Sequence, residues 1–294
     1  MPSNYEKISS SDLEEKLERA VSLLVGLYTE RAHFILELLQ NAEDARATRV
    51  RFDLKPDRLE VWHDGRLFDE DDVRGVCGVG EGTKLNDLTQ IGKFGIGFKS
   101  VYAFTVRPEI HCGDEHFAIE KYIHPLGIAP VSIPPPWTTL FILPFDRTDV
   151  ASDVACAEIA QGLNKLDSGA MLFLRHIREI EWSSPGNSAR RYIRQEVTQG
   201  PARRVSLTVD IQGLAFPTGS WLVFDAPICI DGSYDHLRVE AAFKVVSEKD
   251  HEDKIAPVSA ATLSVFFPTA TRTGLGFTIQ GPYRTTPARS EVPS

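Results

Sequence analysis

The chain has 294 residues, 42% hydrophobic and 25% charged, enough to bury one large core or two of ordinary size. Its formal net charge of −9 disfavours general attraction to nucleic-acid phosphates; no apolar run is long enough to cross a bilayer, and Met1 to Lys7 lacks a basic segment followed by an apolar one. A cytoplasmic location without membrane contact is expected, and the scattered Cys77, Cys112, Cys156 and Cys229, with no C-x-x-C pair, read as reduced core thiols rather than a zinc site or a disulfide framework.

In chain order, Ser11-Asp12-Leu13-Glu14 fits a capping box, and Leu13, Leu17, Val21, Leu24 and Tyr28 recur behind it at helical spacing. A second helix follows Thr29 and ends near Arg46. Val50 to Leu54 and Leu59 to His63 read as strands joined by the turn Lys55-Pro56-Asp57-Arg58. Gly75, Gly78, Gly80 and Gly82 then crowd a stretch with few apolar residues, which is expected to be mobile. After a glycine turn from Gly92 to Gly97 a helix start is expected, then strands over Arg107 to Cys112, His116 to Tyr122 and Thr139 to Pro144, and a helix over Asp153 to Leu166. From Met171 onward the pattern turns to strands, Met171 to Leu174, Val205 to Ile211, Leu222 to Phe224, Val239 to Val246 and Leu263 to Phe267. A domain boundary is therefore expected near residue 170, giving portions 1–170 and 171–294.

The second helix carries the most chemistry. Glu37, Asn41 and Asp44 are spaced i, i+4, i+7 and fall within about 60° of one another at roughly 100° per residue. Ile35, Leu38, Leu39 and Ala42 centre about 130° away, so the helix docks by one face and offers a polar stripe with the other. A carboxylate polarising water beside an amide that holds an ion is what nucleotide hydrolysis needs, although such a stripe is also compatible with a simply wet face. Gly92-x-x-Gly95-x-Gly97 lets backbone amides approach an anion, with a helix start aimed at the same point.

In this order the motifs resemble the GHKL ATPase superfamily, and most closely its heat-shock-ninety and sacsin-like branch. Glu37-Leu38-x-x-Asn41-Ala42-x-Asp44-Ala45 resembles its first motif, which implies Glu37 as general base, Asn41 as magnesium ligand and Asp44 beside the nucleotide. Gly82-Thr83-Lys84 resembles the lid start, implying that Lys84 reaches a phosphate. Gly92-Lys93-Phe94-Gly95-Ile96-Gly97-Phe98 resembles the lid-end phosphate loop, and Thr139 the strand threonine near the pocket base. Lys84 and Lys93 also fit ordinary loop lysines.

One position departs from the pattern. Aligned on Gly65, the family's Asp-x-Gly-x-Gly puts His63 where the adenine-reading Asp belongs, Leu67 at the second Gly, and Asp64 one step late, where a strand turns its side chain to the other face. His63 stays open between a structural histidine and an adenine contact. Arg284 or Arg289, in a segment resembling one that follows sacsin-like modules, is the counterpart of an arginine that reaches the terminal phosphate.

The resemblance implies an α+β, Bergerat-type α/β sandwich with helices on one face of a mixed sheet, followed by a strand-rich α/β second domain. The implied activity is an ATPase that binds ATP or ADP with magnesium (Mg2+), hydrolyses ATP slowly and closes a lid over Gly75 to Gly92 as a switch. A homodimer through the Ser11 to Tyr28 helix is a further implication. Pro287 to Ser294 closes no element, so further domains of a longer chain are expected. Two other classes stay open: a nucleotide-binding sensor that does not hydrolyse, and a DNA-handling ATPase of the MutL or topoisomerase kind. The latter is favoured only by seven arginines between Arg175 and Arg204 against Glu179, Glu181 and Glu196, a cluster equally readable as a solvated edge.

Overall fold

Period-two burial organises the molecule from its first strands. β1 (Arg49–Leu54) buries Val50, Phe52 and Leu54, and β2 (Arg58–His63) buries Leu59, Val61 and His63. The two pair antiparallel with Leu54 opposite Leu59, the turn read at Lys55 to Arg58. The computed structural model describes residues 31–78, 97–228, 238–247 and 253–283. The helix expected over Ser11 to Tyr28, Cys229 and most of the glycine-dense stretch lie outside the described residues.

Ahead of β1, α1 (Phe34–Asp44) follows a 3-10 turn at Arg31–His33 and sinks Phe34, Ile35, Leu38, Leu39 and Ala42 into the core. It stops where Arg46 takes a left-handed φ of 57° and the Ala47 amide returns to the Ala42 carbonyl. α2 (Glu70–Cys77) has an Asp69/Asp72 capping box and occupies the start of what the sequence reads as a glycine-dense mobile stretch. The helix expected after Gly97 is a 3-10 turn, Phe98–Ala103, with all six residues buried.

β3 (Glu109–Cys112), β4 (Glu115–Glu120), β5 (His124–Gly127) and β6 (Thr139–Pro144) follow, then α3 (Ser152–Lys165); all but β5 are close to elements read from the sequence. Met171 to Leu174 is not the expected strand. A 3-10 turn at Ser168–Met171 leads into it, and all four residues are buried, a case in which a short apolar run reports burial but not backbone state.

The later strands are β7 (Glu179–Ser184), β8 (Asn187–Gln199), β9 (Ala202–Ile211), β10 (Leu214–Pro227), β11 (Arg238–Val246), β12 (Lys254–Ala256), β13 (Thr262–Val265), β14 (Phe267–Arg272) and β15 (Thr278–Gln280). Among the described residues all fifteen strands join one mixed sheet, in the order β14-β13-β15-β11-β10-β9-β8-β7-β1-β2-β6-β3-β4-β5 with β12 on β11. β1 pairs parallel with β7, so the sheet runs through both the 1–170 and the 171–294 portions.

This corrects the expected fold class. The α+β, Bergerat-type sandwich with helices on one face of a mixed sheet and a separate α/β unit behind it is not what forms; the protein is strand-dominated and built on one large sheet. The physical reason lies in β8, β9 and β10, strands of 13, 10 and 14 residues whose charged side chains pair across the ladder instead of marking loops.

Candidate functional site

The polar stripe of α1 does not lie in bulk water. Glu37 is only 3% exposed, and Asn41 and Asp44 are half-buried. One turn earlier, His33 places Nε2 3.6 Å from Glu37 Oε1. Against the other carboxylate oxygen sits Gly97, where a Cβ would fall 2.2 Å from Glu37 Oε2. Gly97 has φ −55°, a conformation open to any residue, so a side chain here is opposed by the Glu37 carboxylate and not by the backbone. The structure thus brings Glu37 and the last glycine of the Gly92-x-x-Gly95-x-Gly97 motif into direct contact.

The sheet supplies a second wall. His63, Thr139 and Cys112 stand opposite one another on β2, β6 and β3 and form one row on one face. Thr139 Oγ1 lies 3.0 Å from Cys112 Sγ, which also accepts the Phe68 amide at 3.3 Å. His63 is 2% exposed, and its Nδ1 accepts the Gly65 amide at 3.1 Å, which leaves the proton on Nε2. Burial pushes its pKa down to about 4, against a smaller upward pull from Asp64, so the ring is neutral. Phe141, the next residue on this face of β6, touches His63, Phe68 and Phe98 at ring-centroid distances of 6.0, 6.2 and 5.9 Å. Through Phe98 this cluster joins the His63–Thr139 row to the Gly97 turn.

Asp64 goes elsewhere. Its Oδ1 accepts the amides of Thr48 and Arg49 at 2.7 and 2.8 Å, and its Oδ2 accepts the Thr48 hydroxyl at 2.5 Å. Gly65 lies tight on the end of α1, where a Cβ would come 2.7 Å from the Ala45 carbonyl oxygen. Lys84, Gly92, Lys93, Gly95, Ile96 and Arg284 lie outside the described residues.

Two side chains that sequence reasoning missed frame the site. Glu43, buried on α1, accepts the amides of Arg175 and His176 on Oε1 at 2.6 and 2.9 Å and that of Ile177 on Oε2 at 3.0 Å. Lys99, fully buried, donates to the carbonyls of Val76, Cys77 and Tyr122 at 2.7, 3.2 and 2.6 Å, using all three ammonium donors. Burial pushes its pKa down to about 8. It ties the last turn of α2 to the segment that begins at Gly97. No sequence signal separates such a buried lysine from an exposed one.

Among the described residues no group of three or more His, Cys, Asp or Glu is placed to hold a metal ion. Cys77, Cys112 and Cys156 are free thiols. No helix among the described residues is long and apolar enough to cross a membrane. Most of the 175–204 arginines are engaged: Arg191 with Asp210 and Glu179, Arg203 with Glu196 and Glu240, Arg204 with Asp253, and Arg190 over the Trp182 ring.

Comparison with known proteins supports the sacsin-like part of the motif reading. Residues 14–121 match the family model described as Sacsin domain. Protein NO VEIN of Arabidopsis thaliana is 26% identical over 307 aligned residues covering 94% of this chain. Sacsin of Homo sapiens is 34% identical over 123 residues, 36% of this chain. The chain spans 11% of the length of the first and 3% of the second. The crystal structure of the N-terminal domain of a DNA repair protein aligns with 91% of this chain and 90% of its own at TM-score 0.48 and 10% identity, too distant to carry an inference. The chain is sacsin-like over the matched stretch.

Proposed function

We propose that the Glu37 site binds the triphosphate of ATP together with magnesium and hydrolyses it slowly, as a conformational switch within a longer protein. The observation that carries this reading is the contact between a buried carboxylate, Glu37, and the glycine that ends the phosphate-loop motif, Gly97. The sacsin-like stretch, residues 14–121, spans every proposed contact except Thr139 and Arg284.

In this reading Glu37 takes a proton from the attacking water, with His33 Nε2 3.6 Å from its carboxylate. The missing Cβ at Gly97 lets the backbone that ends the phosphate-loop motif pack against that carboxylate, which brings the motif and Glu37 together. Asn41, one turn beyond Glu37 and half-buried, offers an oxygen of the kind magnesium accepts. Bound there, magnesium supplies neutralisation of phosphate charge. Lid closure over Gly75 to Gly92 belongs to the same proposal, as do a homodimer through the Ser11 to Tyr28 helix and the roles of Lys84, Lys93 and Arg284.

The residues fit the phosphate end better than an aspartate-read adenine. Asp64 already accepts three hydrogen bonds from Thr48 and Arg49, and neutral His63 with its proton on Nε2 is a donor there, whereas the adenine amino group needs an acceptor. Base selection is therefore weak: GTP is expected to compete with ATP within about tenfold, a ratio below the 1.4 kcal/mol that one good hydrogen bond contributes. The committed Asp64 also favours the second reading, a nucleotide sensor without hydrolysis.

Phosphate release measured with magnesium for the wild type and Glu37→Ala separates the two. The expected result is turnover in the wild type and background release in Glu37→Ala, a loss of about a hundredfold or more, with ATP affinity kept within a few fold. Equal release in both proteins with ATP bound would establish the sensor. No ATP binding by either would remove the nucleotide reading altogether.

A further inference from the structure

A cleft of about 440 Å³ opens at the end of β1, β7 and β8, and its lining includes Thr48, Arg49, Arg178, Glu179, Arg194 and Glu196. It shares no lining residue with the Glu37 site. We infer that this cleft is an oxyanion site that takes a phosphate-type dianion between Arg49, Arg178 and Arg194.

The argument begins with Arg194. Its side chain is fully buried, yet only Nη2 has an acceptor, the Glu196 carboxylate. Nε and Nη1 of Arg194, and Nη1 of Arg178, are buried without an acceptor among the described residues. Guanidinium N–H groups withdrawn from water are costly unless matched, and a planar fork matches tetrahedral or carboxylate oxygens in pairs. Burial pushes Arg194 below the usual arginine range, and the neighbouring cations of Arg178 and Arg203 add to that push against Glu196.

The cleft also carries excess positive charge. Glu179 is paired with Arg191, and Glu196 is shared by Arg194 and Arg203, so both lining carboxylates are engaged. Among the described residues neither the Arg49 nor the Arg178 guanidinium forms a close ion pair, although Arg178 is near enough to Glu196 to help lower its pKa. Three arginines against two engaged carboxylates, with orphaned N–H groups, suit a dianion with several oxygens better than a single carboxylate.

The site is held in place by backbone. Arg178 donates its amide to the Thr48 carbonyl at 2.8 Å, and its own carbonyl accepts the Arg194 amide at 2.8 Å. Glu43 fixes the three residues before it, Arg175 to Ile177. Asp64 fixes Thr48 and Arg49 from the other side. All three arginines therefore sit on positions clamped by buried or paired groups, which is the preorganisation that an anion site requires.

Calorimetric titration with inorganic phosphate, and separately with phosphoserine, at constant ionic strength tests the inference on the whole chain. Wild-type binding weakened at least tenfold in both Arg178→Gln and Arg49→Gln, and partly kept in Arg178→Lys, is the expected result. Phosphoserine binding tighter than phosphate with the same dependence assigns the site to a phosphate monoester, and equal binding assigns it to the free ion. ATP affinity within twofold of wild type in Arg178→Gln separates this site from the proposed nucleotide site. An absence of phosphate-dependent heat, or equal binding by the wild type and both glutamine variants, overturns the inference. Arg194→Met is a further probe, and Arg49 and Arg178 decide the outcome if it fails to fold.

Discussion

Glu43 and Glu37 are both buried carboxylates on α1, six residues apart and so about 120° apart around the helix, and their surroundings differ in kind. Glu43 meets three backbone amides of the segment 175–177 that leads into β7, and each of its oxygens is an acceptor with fixed geometry. Glu37 meets an imidazole one turn away and a glycine whose missing Cβ lets the carboxylate pack against it. Exposure alone, 5% against 3%, does not tell the two apart. The contrast is one of surroundings: Glu43 is the acceptor for three backbone amides of a distant segment, whereas Glu37 lies between a histidine side chain and the glycine that ends the loop motif.

The largest effect expected from this contrast is on stability at Glu43. Glu43→Ala leaves three amides without their acceptor and is expected to cost about 3–5 kcal/mol, the scale for breaking a buried charged network. The urea midpoint reads this directly. Glu43→Gln, which keeps a single carboxamide oxygen, is expected to recover part of the loss. A cost below about 1 kcal/mol for Glu43→Ala would erase the distinction drawn between the two glutamates.

The wall that Phe98 links to the Glu37 site gives the next effect, through pH. His63 binds its proton at about 4 in the folded chain and at the ordinary value of 6.5 unfolded, because burial disfavours the charged ring. Between those values the unfolded chain holds more protons. Its contribution is therefore fully present above pH 6.5 and is lost as pH falls toward 4, by roughly 3 kcal/mol in all. Urea unfolding from pH 7 to pH 4 is expected to show that slope in the wild type and a flatter one in His63→Gln. Parallel slopes would mean that His63 is not the group responsible.

How much of this was legible in the sequence follows from the range of the interactions. The Glu37 stripe, the β1–β2 hairpin, β6 and α3 rest on local periodicity, and the structure places them within a few residues of the reading. Even the one-residue offset of Asp64 was readable, since a strand reverses its side chain at each step and Asp64 indeed turns back to Thr48. The single continuous sheet was not readable. It depends on the parallel join between β1 and β7, 130 positions apart in register, and on arginine-rich β8 and β9, whose charges looked like a solvated edge. Glu43 was hidden for the same reason: its partners lie more than 130 positions away, and its spacing on α1 suits a wet face as well as a buried one. Gly97 was legible as a motif member, but its fit against Glu37 required the fold.

The finest prediction isolates that fit. Gly97→Ala places a methyl group 2.2 Å from Glu37 Oε2, so either the carboxylate or the turn carrying Gly97 must move. Because the backbone at Gly97 is in an ordinary right-handed conformation, the penalty comes from the side-chain clash and not from φ. Overpacking of this kind costs about 1–3 kcal/mol. If the obstacle is the Glu37 carboxylate, shortening that side chain removes it, and in a Glu37→Ala background the same Gly97→Ala change is expected to cost less than about 0.5 kcal/mol. The two single variants and the double variant, compared by chemical unfolding, give the coupling directly. Strict additivity would show that Glu37 and Gly97 do not confine one another, and the contact on which the proposed site rests would then have no energetic basis.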